Sequence, residues 1–285
     1  MLNSDDVKGG KKMKDKIDFV IKLRDRQPRL VTEWNKVFSG DIKDGSIEVS
    51  HGDIFKDAPS ADAIVSPANS FGFMDGGIDM AYSLHFGWQM QHRLQKNIRE
   101  KYDGELLVGQ AAIIPTFEGG AKEDSMNWST WNEGKPIKYL ISAPTMRVPL
   151  FVDDSVNSYL AFRAVILAVK KFNTGNPTDP IKSVLCPGLG TAVGRMPFDR
   201  CAFQMKNAFD TFLLDKCPRR INPTRLEHMS FDTEVMQRYH VKCEDDDDDE
   251  EEENEYDCGD CKEIIDNDSD DNSDTASTAS NKLPV

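Results

Sequence analysis

Ala63-Ile64-Val65-Ser66-Pro67-Ala68-Asn69-Ser70, followed shortly by Asp75-Gly76-Gly77-Ile78-Asp79, decides the fold class. The run Ala61–Ser66 is short, apolar and partly β-branched, the pattern of a strand buried on both faces. Beyond the glycine pair, Gly77–Tyr102 carries Ala81, Leu84, Trp88, Leu94 and Ile98 at helical spacing, which predicts one long helix. A buried strand that passes through a glycine turn into a helix is one unit of an α/β chain.

Working outward, the same alternation recurs. Strands are predicted at Ile17–Leu23, Ser46–Val49 with Ile54, Leu106–Pro115, Tyr139–Ala143 and Ser183–Pro187, and helices at Arg29–Phe38, Ser155–Phe172 and Pro197–Leu214. Asp154 or Ser155 stands where it can cap the second of these helices, and Pro197 occupies the first turn of the third. Such alternation argues for an α/β domain whose sheet is largely parallel and covered on both faces. Residues 117–138, rich in Gly, Ser and Asn, read as a long surface loop.

A second glycine turn, Pro187-Gly188-Leu189-Gly190-Thr191-Ala192-Val193-Gly194, joins the last predicted strand to the last helix. Glycine lets a backbone turn sharply and approach a ligand closely. Free N–H groups and the helix dipole at a helix start favour an anion. One such turn is more often a tight connection; two of similar design point to a diphosphate. A Walker loop is excluded, because Gly194-Arg195-Met196 stands where Gly-Lys-Ser/Thr is needed. A dinucleotide-oxidoreductase reading needs an acid at a strand end about 20 residues on, where this chain has Asp210–Asp215 in or ending a helix.

Gly52-Asp53-Ile54, Ala63 to Ser70, Gly76-Gly77-Ile78-Asp79, Gly109-Gln110-Ala111 and Pro187 to Pro197 occur in the order and spacing of the macro-domain family, which residues 17–217 resemble. The resemblance implies a three-layer α/β/α fold with a mixed, largely parallel central sheet, binding ADP-ribose without a cofactor or metal. By the same resemblance Asp53 accepts the adenine amino group and Ile54 lies against the base. Asn69 sits beside the distal ribose. Gly76, Gly77 and Ile78 form the first phosphate loop. Gly188, Gly190, Thr191, Ala192, Val193 and Gly194 belong to the second. Asp79 matches the acid that orients a water in hydrolysing members, so Asp79 and Asn69 are the candidate catalytic pair. The sequence departs from the family pattern at Ser66-Pro67, where Asn-Ala is common, and at Met74-Asp75, which shortens the glycine run. It departs again at Gly194, where many members place an aromatic ring; Phe71 or Phe73 is the alternative source of one. These departures bear on catalytic class and substrate.

Each of these residues also has a plainer reading. Asp53 and Asn69 can be turn formers, and Asp79 can merely complement a helix dipole. His85 and His92, seven apart on the predicted long helix, read as packing or surface residues. Cys186 and Cys201 read as core.

The charge of the 285-residue chain is divided. From Glu244 onward there are 19 acidic residues and two lysines, a net of −17, which leaves the body near +3. That balance gives no argument for nucleic-acid binding. The expected organisation is a flexible N-terminus at 1–16, a macro domain at 17–217, and an acidic, mostly disordered tail at 218–285. His240, Cys243, Cys258 and Cys261 have zinc-like spacing, but the acidic run between the pairs offers little to pack, so incidental thiols are the preferred reading. No membrane span or signal segment is visible, so the expected location is inside the cell, in cytoplasm or nucleus. Three functions follow: hydrolysis of ADP-ribose derivatives at the distal ribose, non-catalytic reading of ADP-ribosylated partners, or association of the acidic tail with a basic protein.

Overall fold

A computed structural model describes residues 18–67, 69–118 and 127–240. The strands are β1 (Val20–Asp25), β2 (Ile47–His51), β3 (Ala63–Ser66), β4 (Ala112–Pro115), β5 (Tyr139–Ser142) and β6 (Ser183–Cys186). They form one sheet in the order β2-β1-β6-β3-β5-β4. All neighbours run parallel except β4, which lies antiparallel to β5 at one edge. The central strands β3, β5 and β6 carry apolar side chains on both faces, because both faces are covered there, whereas β1 and β2 alternate with Lys22, Arg24, Glu48 and Ser50.

One face buries Ile21, Leu23, Val65, Ile141 and Val184 against α1 (Pro28–Val37), α5 (Asn157–Gly175) and α6 (Phe198–Phe212), with Trp34, Phe162 and Phe209 at the centre. The other buries Ile64, Leu140 and Leu185 against α3 (Gly77–Phe86) and α4 (Gln89–Lys101), through Tyr82, Phe86, Leu94 and Ile98. The result is a three-layer α/β/α arrangement with a mixed, largely parallel sheet. A short α2 (Ser39–Lys43) leads from α1 toward β2.

Several elements depart from the sequence reading. The predicted helix over 77–102 is two helices, broken at Gly87, whose φ of +98° ends α3 while its N–H donates to the Ser83 carbonyl. The Gln89 side chain fills the space that a Cβ at 87 would take. The buried face is also not the one expected on α3: Leu84 is 70% exposed, and Tyr82, Ser83 and Phe86 are buried instead. The break separates His85 and His92 onto different helices. The strand predicted from Leu106 begins only at Ala112, after the left-handed Gly109.

Residues 218–240, grouped with the tail by composition, include α7 (Pro218–Ile221) and α8 (Leu226–Arg238). Helix α8 rests on α6, where the Gln204 amide donates to the Met236 carbonyl and Met236 is buried. Arg220 and Asp232 join α7 to α8 by a two-pronged ion pair. Residues 1–17 and 241–285, with the acidic run and three of the four zinc-like residues, lie outside the described residues. Among the described residues no helix is long and apolar enough to cross a membrane, and no His, Cys, Asp and Glu group is placed to hold a metal.

Candidate functional site

In a parallel sheet the loops that follow the strands gather at one rim, and ligands bind there. Here the loops after β1, β2, β3, β5 and β6 enclose a cavity of about 420 Å³. Asp53, Ile54, Asn69, Gly76, Gly77, Ile78, Asp79, Gly188, Gly190, Thr191, Ala192, Val193 and Gly194 all line it. The structure thus brings every predicted site residue to one place.

The start of α3 forms one wall. Gly76 is extended (φ −144°, ψ 155°), and no side chain caps the helix. The first helical bond runs from the Met80 N–H to the Gly76 carbonyl, so the N–H groups of Gly77, Ile78 and Asp79 have no partner of their own helix. Gly77 has φ +56° with open space around it, so conformation rather than room calls for glycine. Asp79, in this first turn, is only 7% exposed, and its Oδ1 accepts a hydrogen bond from the Ser66 hydroxyl at 2.6 Å. Burial raises the Asp79 carboxyl from 3.8 to about 7, and the Ser66 bond opposes that rise.

The loop after β6 forms a second wall. Its ends are pinned. The Gly188 N–H donates to Asp25, the Met196 N–H to the Gly190 carbonyl, and the Ser158 hydroxyl to the Leu189 carbonyl. Between the pins, the N–H groups of Thr191, Ala192, Val193 and Gly194 meet no acceptor among the described residues. Gly190 needs its positive φ of +75°. Gly194 needs its missing side chain: a Cβ there would stand 2.5 Å from the Gly190 carbonyl oxygen and 2.6 Å from Val152. No ring can occupy that position. Phe73 lines the cavity half-exposed, whereas Phe71 lies under the Arg147 guanidinium, 5.0 Å away, and is not among the lining residues.

Two side chains are more committed to the protein than the sequence implied. Asp53 Oδ1 accepts from the backbone N–H groups of Phe55 and Lys56, each at 2.9 Å, and Oδ2 pairs with Arg26. Asn69 closes its own turn, accepting from the Phe71 and Phe73 N–H groups and donating to the Phe73 carbonyl. One Nδ2 hydrogen of Asn69 remains for a ligand. The turn-forming roles read from composition are therefore present in the structure, alongside positions on the cavity wall.

The sequence reading missed Arg24, Asp25, Arg26, Thr145, Met146 and Pro149, which also line the cavity. Arg24 gave no signal in the sequence, because it falls in the same alternation phase as Lys22. Its buried guanidinium donates to the Asp53 and Lys56 carbonyls and to Ser50, clamping the turn after β2. A Cβ at Gly52 would stand 2.5 Å from Arg24 Nη2, which explains the glycine before Asp53. His85 lies outside the cavity, stacked on Phe55 at 3.6 Å, and burial lowers its imidazole to about 4. Cys186 and Cys201 are buried, and burial pushes the Cys201 thiol up to about 12.

No protein-family model and no curated protein matches the sequence. Solved structures do match. The macrodomain of Mycobacterium tuberculosis DarG is 20% identical, over 57% of this chain and 90% of that one, with a TM-score of 0.42. A mutant of the Oceanobacillus iheyensis macrodomain with ADPR is 17% identical, over 54% and 72%, with a TM-score of 0.40. Thermosipho africanus DarTG in complex with ADP-ribose is 16% identical, over 52% and 35%, with a TM-score of 0.38.

Proposed function

We propose that this chain is a macro-domain protein that binds ADP-ribose in the cavity at the strand ends and hydrolyses ADP-ribose derivatives at the distal ribose. One observation carries the reading: two segments with unsatisfied N–H groups and one buried carboxyl line the same cavity. Unpaired backbone donors at a helix start and in a glycine loop suit the two phosphates of a diphosphate. Asp53 and Ile54, on a third loop, supply an acid and an apolar side chain for the base. Asp79, with a carboxyl near pH 7, is matched to moving a proton at neutral pH. In the reaction a water adds to the anomeric carbon of an ADP-ribosyl protein, or to the carbonyl carbon or phosphorus of an acyl or phosphoryl ester, the bond to the leaving group breaks with its electron pair on the leaving oxygen, and the Asp79 carboxylate takes the water's proton. The substrate classes are mono-ADP-ribosyl protein, O-acyl-ADP-ribose and ADP-ribose 1″-phosphate.

Calorimetry with ADP-ribose tests the binding half, and absence of binding overturns it. Release of ADP-ribose from mono-ADP-ribosylated protein, or of phosphate from the 1″-phosphate, tests the catalytic half. A second reading, a non-catalytic reader of ADP-ribosylated partners, is favoured by the closure of Asn69 on its own turn, which commits most of its amide away from the sugar. Tight binding with no turnover of any of these substrates selects the reader.

A further inference from the structure

Ser66 occupies one of the positions at which this sequence leaves the family pattern, and the structure gives it a specific neighbour. Its hydroxyl is fully buried, 2.6 Å from Asp79 Oδ1, and among the described residues no other side chain bonds that carboxyl. Its strand has neighbours on both sides, and Ser66 itself is paired on the β5 side, the β6 pairing ending at Ile64. Strand β3 lies between β6 and β5, Ser66 is in register with Ser142, and the Ser66 carbonyl accepts from the Ala143 N–H at 2.9 Å. Pro67 follows, which restricts Ser66 to extended backbone. The donor therefore stands on one of the most constrained strands of the sheet, whereas Asp79 stands on the uncapped first turn of a helix.

We propose that Ser66 is a positioning residue for Asp79: by donating to Oδ1 it fixes the carboxyl's orientation, leaves Oδ2 as the oxygen available to the cavity, and favours the ionised form. This rests on the reading that Asp79 works at the distal ribose. The other titratable groups around the carboxyl leave that task to Ser66. Tyr82, on the same helix, senses the charge of Asp79, but its hydroxyl donates to the Val65 carbonyl. Asp25, at the end of β1, is committed to the N–H groups of Gln27 and Gly188. Cys186, at the end of β6, is a buried thiol held protonated by desolvation. Asp75, Asp53 and Arg26 line the same cavity from other loops, and Asp53 and Arg26 pair with each other. A buried hydroxyl donated to a carboxylate is the kind of bond whose loss moves a carboxyl pKa upward by roughly 1–2 units.

The test uses the full chain with Ser66→Ala, which removes one oxygen from a buried site, and Ser66→Thr, which keeps the hydroxyl on a residue suited to a strand. Carbon-13 NMR follows the Asp79 carboxyl, assigned by its disappearance in Asp79→Asn. In Ser66→Ala the titration midpoint is expected to rise by roughly 1–2 units, and in Ser66→Thr to stay near the wild-type value. The limb of the pH–rate profile should move by the same amount, lowering kcat/KM near pH 7 by roughly 10-fold or more while ADP-ribose affinity changes by less than about 3-fold. A midpoint that does not move in Ser66→Ala overturns the proposal, as does a midpoint that moves while the rate limb stays. If the midpoint moves and the wild-type chain turns over no substrate, the link between Ser66 and Asp79 stands and the hydrolase reading fails.

Discussion

Asp79→Asn isolates the electrostatic cost built into the cavity wall. Folding removes this carboxyl from water and raises it from 3.8 to about 7. Between those two values the folded chain holds a proton that the unfolded chain has released, so stability falls as pH rises. The contribution of the protonated acid is fully present below about pH 4 and is lost as pH climbs through about 7. Roughly three units of separation, at about 1.4 kcal/mol each, put the whole loss at about 4 kcal/mol. The asparagine amide oxygen can accept from Ser66 as Oδ1 does, and it never ionises. Urea unfolding of both chains at about pH 4 and about pH 8 measures the difference. The variant should lie close to wild type at the lower pH and be more stable by up to about 4 kcal/mol at the higher one. The same difference at both pH values would refute the reasoning, because a packing change has no such dependence. Turnover should fall by about 10²–10⁴-fold in the same variant, with ADP-ribose affinity far less affected.

Gly194→Ala should force the second loop apart, since the new methyl meets a carbonyl oxygen rather than a yielding side chain. We expect about 1–3 kcal/mol of destabilisation and at least about 10-fold weaker ADP-ribose binding, read by thermal unfolding and calorimetry. Asp53→Ala should cost about 1–2 kcal/mol of stability through the lost bonds to the Phe55 and Lys56 N–H groups. Asp53→Asn should keep those bonds and lose the Arg26 ion pair, so equal unfolding midpoints for the two variants would contradict the turn's role. His85 is neutral in the fold, with its imidazole lowered to about 4. The unfolded chain takes up that proton first, so stability should fall as pH drops from about 6.5 toward 4. His85→Phe should flatten that slope in acid unfolding curves, and an unchanged slope would assign it to other groups.

The sheet was legible because its strands are short apolar runs bounded by Gly and Pro. The cavity was legible because two glycine turns of similar design each join a strand to a helix, a coincidence that a single tight connection does not produce. The helix break was not, because the periodic signal from Ala81 to Ile98 runs straight through Gly87, and one left-handed glycine outweighs it. The exposure of Leu84 and Trp88 reflects a buried face through Tyr82, Phe86, Met90, Leu94 and Ile98, which competes with the Ala81–Leu84–Trp88 stripe at the same spacing. Gly194 looked like a missing ring, yet its absence of a side chain is demanded by the Gly190 carbonyl and Val152, two contacts no local pattern encodes. Ser66 read as a departure bearing on catalytic class and substrate, yet its bond to a residue 13 positions away is not encoded by any local pattern. Arg24 acts on a turn about 30 residues further on, through bonds that only the completed sheet brings into reach.

The position of β6 has a consequence for biosynthesis. A ribosome delivers β1 and β2, then β3, β4 and β5, but these make two separate ribbons, β2–β1 and β3–β5–β4. The strand that belongs between them, Ser183–Cys186, arrives last of the six. Until it emerges, each ribbon presents an edge of unpaired N–H and C=O groups beside uncovered apolar faces, the state in which nascent chains are most exposed to aggregation. The glycine loop of the cavity follows that strand directly, so sheet closure and ligand pocket appear in one late step. A chain interrupted before residue 183 therefore carries the other four cavity loops on two unjoined ribbons, without a complete pocket for mass action to favour.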